Sequence, residues 1–264
     1  MCLMPIITWL LIFGFSQRER KIGTCGSFSR PALPQRDELR HMRKQSISGS
    51  DAALSHESYI SLGDEIYCHE ETTDGYFSCE GFTQLNLCLE HESNLTYDSA
   101  FGHSAIFRLV PQQTYTMAKQ LRSFDAHPPD AGVAALRERR AQLLTEAKRE
   151  KELNESEVQN TAGREVRYGK ILQLQHVVSG KFIAVSHLAS EHHRDARRVH
   201  LADNDVGDAA WFRIVPKLRM HADGEKVSAG DPVMFENVIS GLKLHFGNRS
   251  GDATGIEINA FGDE

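Results

Sequence analysis

Apolar and polar positions along this chain alternate in short runs broken by glycine-containing turns, and the breaks recur. Ile60-Ser61-Leu62 leads into Gly63-Asp64, then Glu65-Ile66-Tyr67-Cys68, a turn at Thr73-Asp74-Gly75, and Tyr76-Phe77-Ser78-Cys79. Gly169 opens a second copy, in which Ser179-Gly180 separates the run from Lys170 to Val177 from Lys181-Phe182-Ile183-Ala184-Val185. Gly230 opens a third, with Ser240-Gly241 between Pro232-Val233-Met234-Phe235 and Leu242-Lys243-Leu244-His245-Phe246. Period two in runs this short predicts strands, and Asp-Gly or Ser-Gly between them predicts hairpins, because tight two-residue turns need positive φ. The first two copies also close alike, with Ile106-Phe107-Arg108-Leu109-Val110-Pro111 and Trp211-Phe212-Arg213-Ile214-Val215-Pro216, each about 43 residues past its opening glycine. Gly63, Gly75, Phe107, Gly169, Gly180, Trp211, Phe212, Gly230 and Gly241 are the markers of the repeat. The expected fold is an all-β core with pseudo-threefold symmetry. On the same period the third copy would close near position ~273, past Glu264, so its last strand is expected to be missing. That loss would leave an unpaired edge and a marginal, association-prone chain, rescued by an extension carrying an aromatic-x-Ile strand.

Between the first and second copies the texture changes. Thr114 to Ser123 and Asp130 to about Val158 are rich in Ala, Leu, Arg, Glu, Lys and Gln, and His127-Pro128-Pro129 separates them. Proline interrupts helices, so a helical hairpin inserted at about 112–160 is predicted, with Asp130 as N-cap. Val133, Leu136, Leu143, Leu144 and Ala147 form its apolar stripe. A projecting arm that meets a partner and a helix packed on its own domain are both open readings. Upstream, Cys2 to Phe15 is an apolar run with the length of a signal-peptide hydrophobic region but without a basic flank or cleavage site, so it reads as a non-native or mis-assigned start, with a real signal as the alternative. Residues from about Ser16 to Ser58 read as a disordered leader. The resulting division is 1–58 for the apolar start and leader and 59–264 for the folded unit.

With 40% apolar and 25% charged residues, the chain has enough apolar material for one sizeable core. A net charge of -6 argues against a nucleic-acid partner. The five cysteines are odd in number and confined to the first half, which suits reduced thiols better than a disulfide framework. No nucleotide-binding glycine loop, nucleophile elbow or zinc-protease motif occurs, so no enzyme, catalytic residue, cofactor site or metal site is expected. Asp203-Asn204-Asp205-Val206-Gly207-Asp208 has its glycine one position too early for a calcium loop and reads as an acidic turn. His187, His192, His193 and His200, with Arg194, Arg197 and Arg198, read as a polar surface loop facing water.

Several of these residues carry a family likeness. Tyr168-Gly169-Lys170-Ile171-Leu172-Gln173-Leu174-Gln175-His176, Ser179-Gly180-Lys181-Phe182, Val199-His200-Leu201 and Trp211-Phe212-Arg213-Ile214 resemble the N-terminal suppressor or coupling domain of inositol 1,4,5-trisphosphate receptors, a domain shared with ryanodine receptors. Leu62-Gly63-Asp64-Glu65-Ile66 and Asp223-Gly224-Glu225-Lys226-Val227 with Gly230-Asp231 extend the likeness from about Tyr59 to Ala260. The resemblance implies a β-trefoil with a helical arm inserted after its first unit. It implies a regulatory role as well: the domain lowers the affinity of the ligand-binding core behind it and couples ligand occupancy to a homotetrameric calcium channel on the cytosolic face of the endoplasmic reticulum. Its partners would be the rest of the channel polypeptide and neighbouring subunits. The cations that grip inositol phosphate belong to segments beyond this one, so no direct ligand binding is expected of this chain. Phe82 and the run Lys217-Leu218-Arg219 are the candidate interdomain contacts, although Pro216 here runs straight into Lys217 where the family commonly places two aromatic residues. The alternative is a free-standing β-trefoil that binds a ligand or glycan; against it, Phe107 and Trp211 sit in apolar strand context suited to the core rather than to a sugar face.

Overall fold

The structure, a computed structural model, describes residues 9–14, 59–70, 75–79, 87–91, 104–130, 132–190, 193–203, 207–246 and 256–262. It is mostly β, with twelve strands and two helices described. The strands are β1 (Trp9–Gly14), β2 (Glu65–Glu70), β3 (Gly75–Cys79), β4 (Leu87–His91), β5 (Phe107–Pro111), β6 (Ile171–His176), β7 (Phe182–Ala189), β8 (Arg197–Ala202), β9 (Phe212–Pro216), β10 (Pro232–Asn237), β11 (Lys243–Phe246) and β12 (Ile256–Phe261). Helices α1 (Thr116–Ala126) and α2 (Val133–Thr161) lie between β5 and β6.

Six strands close a ring. β2 pairs with β5, β5 with β6, β6 with β9, β9 with β10, β10 with β1 and β1 with β2, every pair antiparallel. The other six form three two-stranded ribbons, β3–β4, β7–β8 and β11–β12, and β12 pairs with both β4 and β8 to join them. Where the chain enters each opening strand, the segments preceding β2, β6 and β10 interlock through bridges Tyr59–Ser228, Ser61–Glu165 and Arg167–Lys226. Ile60, Val166 and Val227 are fully buried there. Each segment then turns at a glycine with φ of 92°, 82° and 86° at Gly63, Gly169 and Gly230, a conformation that side chains disfavour. The freed N–H groups are used: Gly63 donates to the Leu109 carbonyl at 2.7 Å and Gly169 to the Ile214 carbonyl at 2.8 Å.

One contiguous core fills the ring and the space under the ribbons. Ile66, Leu109, Leu172, Leu174, Ile183, Ile214, Val233 and Ile258 are wholly inaccessible, and Phe77 packs on Phe107 with ring centroids 5.1 Å apart. Burying such side chains contributes roughly 1.5–3 kcal/mol each, which makes this cluster the main source of stability.

Several sequence expectations change. The barrel has no open edge between β10 and β2, because Trp9–Gly14 from the apolar N-terminal run pairs with both. The place of the strand expected to be missing is therefore occupied, and the edge expected to be exposed is paired. The histidine- and arginine-rich stretch is not a plain surface loop: Arg197–Ala202 is strand β8, whose Val199 and Leu201 face the core while Arg197 stays exposed. Strand β4 also went unread. Trp211 is only partly buried, unlike Phe107 and Phe212. Helix α2 starts after Gly132 with no side-chain cap, so Asp130 is not its N-cap. The turn residues Thr73 and Asp74, His192, positions 204–206 of the acidic turn and the leader from Ser16 to Ser58 lie outside the described residues.

Candidate functional site

The helical hairpin is rooted in the barrel by polar contacts at its base. Glu150 on α2 accepts the N–H groups of Met117 at 3.0 Å and Ala118 at 3.2 Å, which are orphan donors at the start of α1. A carboxylate at a helix N-terminus is also favoured by the helix dipole. Asn154, one turn further along α2, clamps Thr114 from both sides: its Nδ2 donates to the Thr114 carbonyl at 2.7 Å and its Oδ1 accepts the Thr114 N–H at 3.1 Å. Gln113 next to it donates its N–H to Gln173 Oε1 on β6 at 3.1 Å, and its carbonyl accepts the Trp211 indole N–H at 2.9 Å. Lys119 on α1 bonds Asp208, in the turn before β9.

Further out, the two helices are tied by Arg140, whose guanidinium donates two bonds to the Asp125 carboxylate at 2.8 and 3.1 Å. Those bonds hold the Asp125 carboxyl below the usual carboxylate range, and the Lys119 ammonium does the same for Asp208. Leu143 and Thr161 are the buried residues of α2. Of the stripe read in the sequence, Leu143 packs inward, whereas Val133 and Leu144 remain 66% and 50% exposed. Leu153, nearer the base, is exposed as well, so the arm presents apolar side chains among charge along its length.

The turn after β9 is the second exposed feature. Lys217 is half-buried and donates its N–H to the Pro232 carbonyl at 3.1 Å, while Leu218 and Arg219 are exposed, as is Met220, which the sequence reading passed over. Because β5 and β9 both run antiparallel to β6, they point the same way, and the arm and the 217–220 turn leave the barrel from one end. The two candidate elements are thus brought to a common side. Phe82 lies outside the described residues.

A cleft between α1 and the β7–β8 ribbon is lined by Lys119, Arg122, Lys181, His187, His200 and Asp203. Its lysines are engaged: Lys119 bonds Asp208 and Lys181 pairs with Asp203 at 3.2 Å. Burial, with Arg198 nearby, pushes the His200 imidazole below its ordinary value and favours the neutral ring. The described residues contain no cluster of three or more His, Cys, Asp or Glu placed to hold a metal ion. Cys68, Cys79 and Cys88 are buried free thiols, and burial pushes the first two up to about 12. No helix among the described residues is long and apolar enough to cross a membrane.

The described residues thus define a class of domain, a closed, mostly β barrel with an inserted helical arm rooted by side-chain clamps. Residues 53–262 match the family model described as inositol 1,4,5-trisphosphate/ryanodine receptor, and the chain belongs to that family. Among curated proteins, it is similar to the inositol 1,4,5-trisphosphate receptor itr-1 of Caenorhabditis elegans, with 38% identity over 100 residues. That match covers 37% of this chain and 3% of the worm receptor, so the chain spans only a small part of its relative's length.

Proposed function

We propose that this chain is a regulatory coupling domain of an intracellular, inositol trisphosphate-gated calcium-release channel. In this reading residues 59–264 form a β-trefoil, the arm at about 112–160 is its insertion, and its partners are the following segments of a channel polypeptide and neighbouring subunits at the cytosolic face of the endoplasmic reticulum. The observation that carries the proposal is the rooted arm. Gln173, Trp211 and the Lys119–Asp208 pair fix it to the barrel, and Glu150 and Asn154 brace its second helix against the start of its first, so a displacement at its exposed end is passed on rather than absorbed. Coupling of this kind is a free-energy difference between two states of an assembly and needs no reaction centre. Lys217, Leu218 and Arg219 are the contact candidates on the same end of the barrel, joined by Met220; Phe82 is retained as a candidate from the sequence.

The test is a chimera in which this chain replaces the matching segment of the worm receptor, assayed for ligand-driven calcium release from microsomes. Release comparable to the parent receptor supports the proposal. A chimera that assembles and binds ligand but never releases calcium would overturn it. Titrated alone with inositol trisphosphate, the chain is expected to show no submicromolar binding.

A further inference from the structure

We propose that the gap between β2 and β10 is a strand-binding slot and that Trp9–Gly14 is its ligand, supplied in cis by the apolar N-terminal run. The ground is register. β5 joins the first unit to the second by pairing Phe107 with His176, Leu109 with Leu174 and Pro111 with Leu172. β9 joins the second to the third by pairing Phe212 with Asn237, Ile214 with Phe235 and Pro216 with Val233. β1 joins the third back to the first by pairing Trp9 with Glu70, Leu11 with Cys68 and Phe13 with Ile66. Counted from the opening glycines, His176, Asn237 and Glu70 are equivalent, so Trp9 takes the place of Phe107 and Phe212, and Leu11 that of Leu109 and Ile214.

The other side of each strand gives the same answer independently. Phe107 stands opposite Ile66 and Phe212 opposite Leu172, and Trp9 stands opposite Val233, the equivalent position of the third unit. The chemistry agrees with the geometry: Trp-x-Leu-Ile matches Phe-x-Leu-Val and Phe-x-Ile-Val, an aromatic followed two positions on by an aliphatic residue. Phe107, Leu109, Phe212 and Ile214 are all fully buried, so those two positions of the pattern belong to the core. The slot therefore selects an extended apolar segment by backbone pairing and by side-chain pattern, which is the logic of strand addition to a sheet. Residues 15–64 separate the strand from β2, so this segment reaches the slot through a long stretch of chain and not through a hairpin. The proposal stands on pairing alone and does not depend on the coupling role.

Leu109, the equivalent of Leu11, donates its N–H to Asp64 and accepts from Gly63, both on the β2 side, so toward β6 it forms a non-hydrogen-bonded pair. Leu11 and Cys68 inherit that geometry, with Cα atoms about 4.5 Å apart, within disulfide reach. The experiment is to refold Leu11→Cys in a glutathione redox buffer and map links by mass spectrometry, with Leu10→Cys as the register control. The expected result is a link from position 11 to Cys68 in monomeric protein, exceeding any link from position 10 to Cys68 by about tenfold. Equal links from both positions, or a link found only in dimers, would overturn the cis strand. Hydrogen exchange on the unsubstituted chain gives a second readout: protection of amides 10–13 at the level of 108–110 supports the proposal, and exchange at unstructured-peptide rates refutes it.

Discussion

At the residue scale, the side chains that root the arm act across long sequence distances. Glu150 reaches back to Met117 and Ala118, so Glu150→Ala leaves those N–H groups uncapped and is expected to cost about 1 kcal/mol, as cap deletions typically do. For a chain of this size that lowers the melting temperature by roughly 2–4 °C, measurable by calorimetry. His200 supplies a pH dependence. Its folded-state value lies below the unfolded one, so the unfolded chain takes up the proton first as pH falls. Stability is therefore full above the ordinary histidine range and declines as pH drops through that range toward the folded value, and His200→Gln should flatten this part of the stability–pH curve. Cys68 and Cys79 are expected to resist iodoacetamide at pH 8 in the native chain and to react once it is unfolded, because burial holds both as thiols. Rapid native labelling of either would contradict their placement.

At the element scale, what could be read in advance was whatever is encoded locally. Gly63, Gly169 and Gly230 announced their turns because positive φ leaves a compositional trace, and the prolines at 128 and 129 announced the break between α1 and α2. Strand β8 was missed because only Val199 and Leu201 of its residues are buried, so arginine and histidine dominate its composition. The true start of α2 was missed because Asp130 offered a local cap that the structure does not use. Candidate contacts at Lys217, Leu218 and Arg219 came from resemblance, whereas Asn154, Gln173 and Trp211, which meet residues 113 and 114 from distant elements, carried no local signal. Trp211→Phe keeps an aromatic side chain, though a smaller one, and removes the indole N–H donated to Gln113. It should loosen the arm's root, seen as faster hydrogen exchange at 113–118, with a stability loss of about 1 kcal/mol. Unchanged exchange there would show that the Trp211 bond does not hold the arm's root.

At the scale of the whole molecule, three glycine-led units and their interlocked entry segments define one end of a barrel from which both the arm and the 217–220 turn emerge. That common side adds to the rooted arm, which carries the proposed coupling role. A rigid body that contacts a ligand-binding core in one state more than in another must shift that core's affinity, by a factor that for allosteric systems is typically about 5 to 150. The direct measurement is calorimetric titration of inositol trisphosphate into the ligand-binding core of the worm receptor, alone and with this chain fused ahead of it. The account predicts weaker binding in the fusion by a factor within that range, and equal affinity in two well-folded proteins would contradict it.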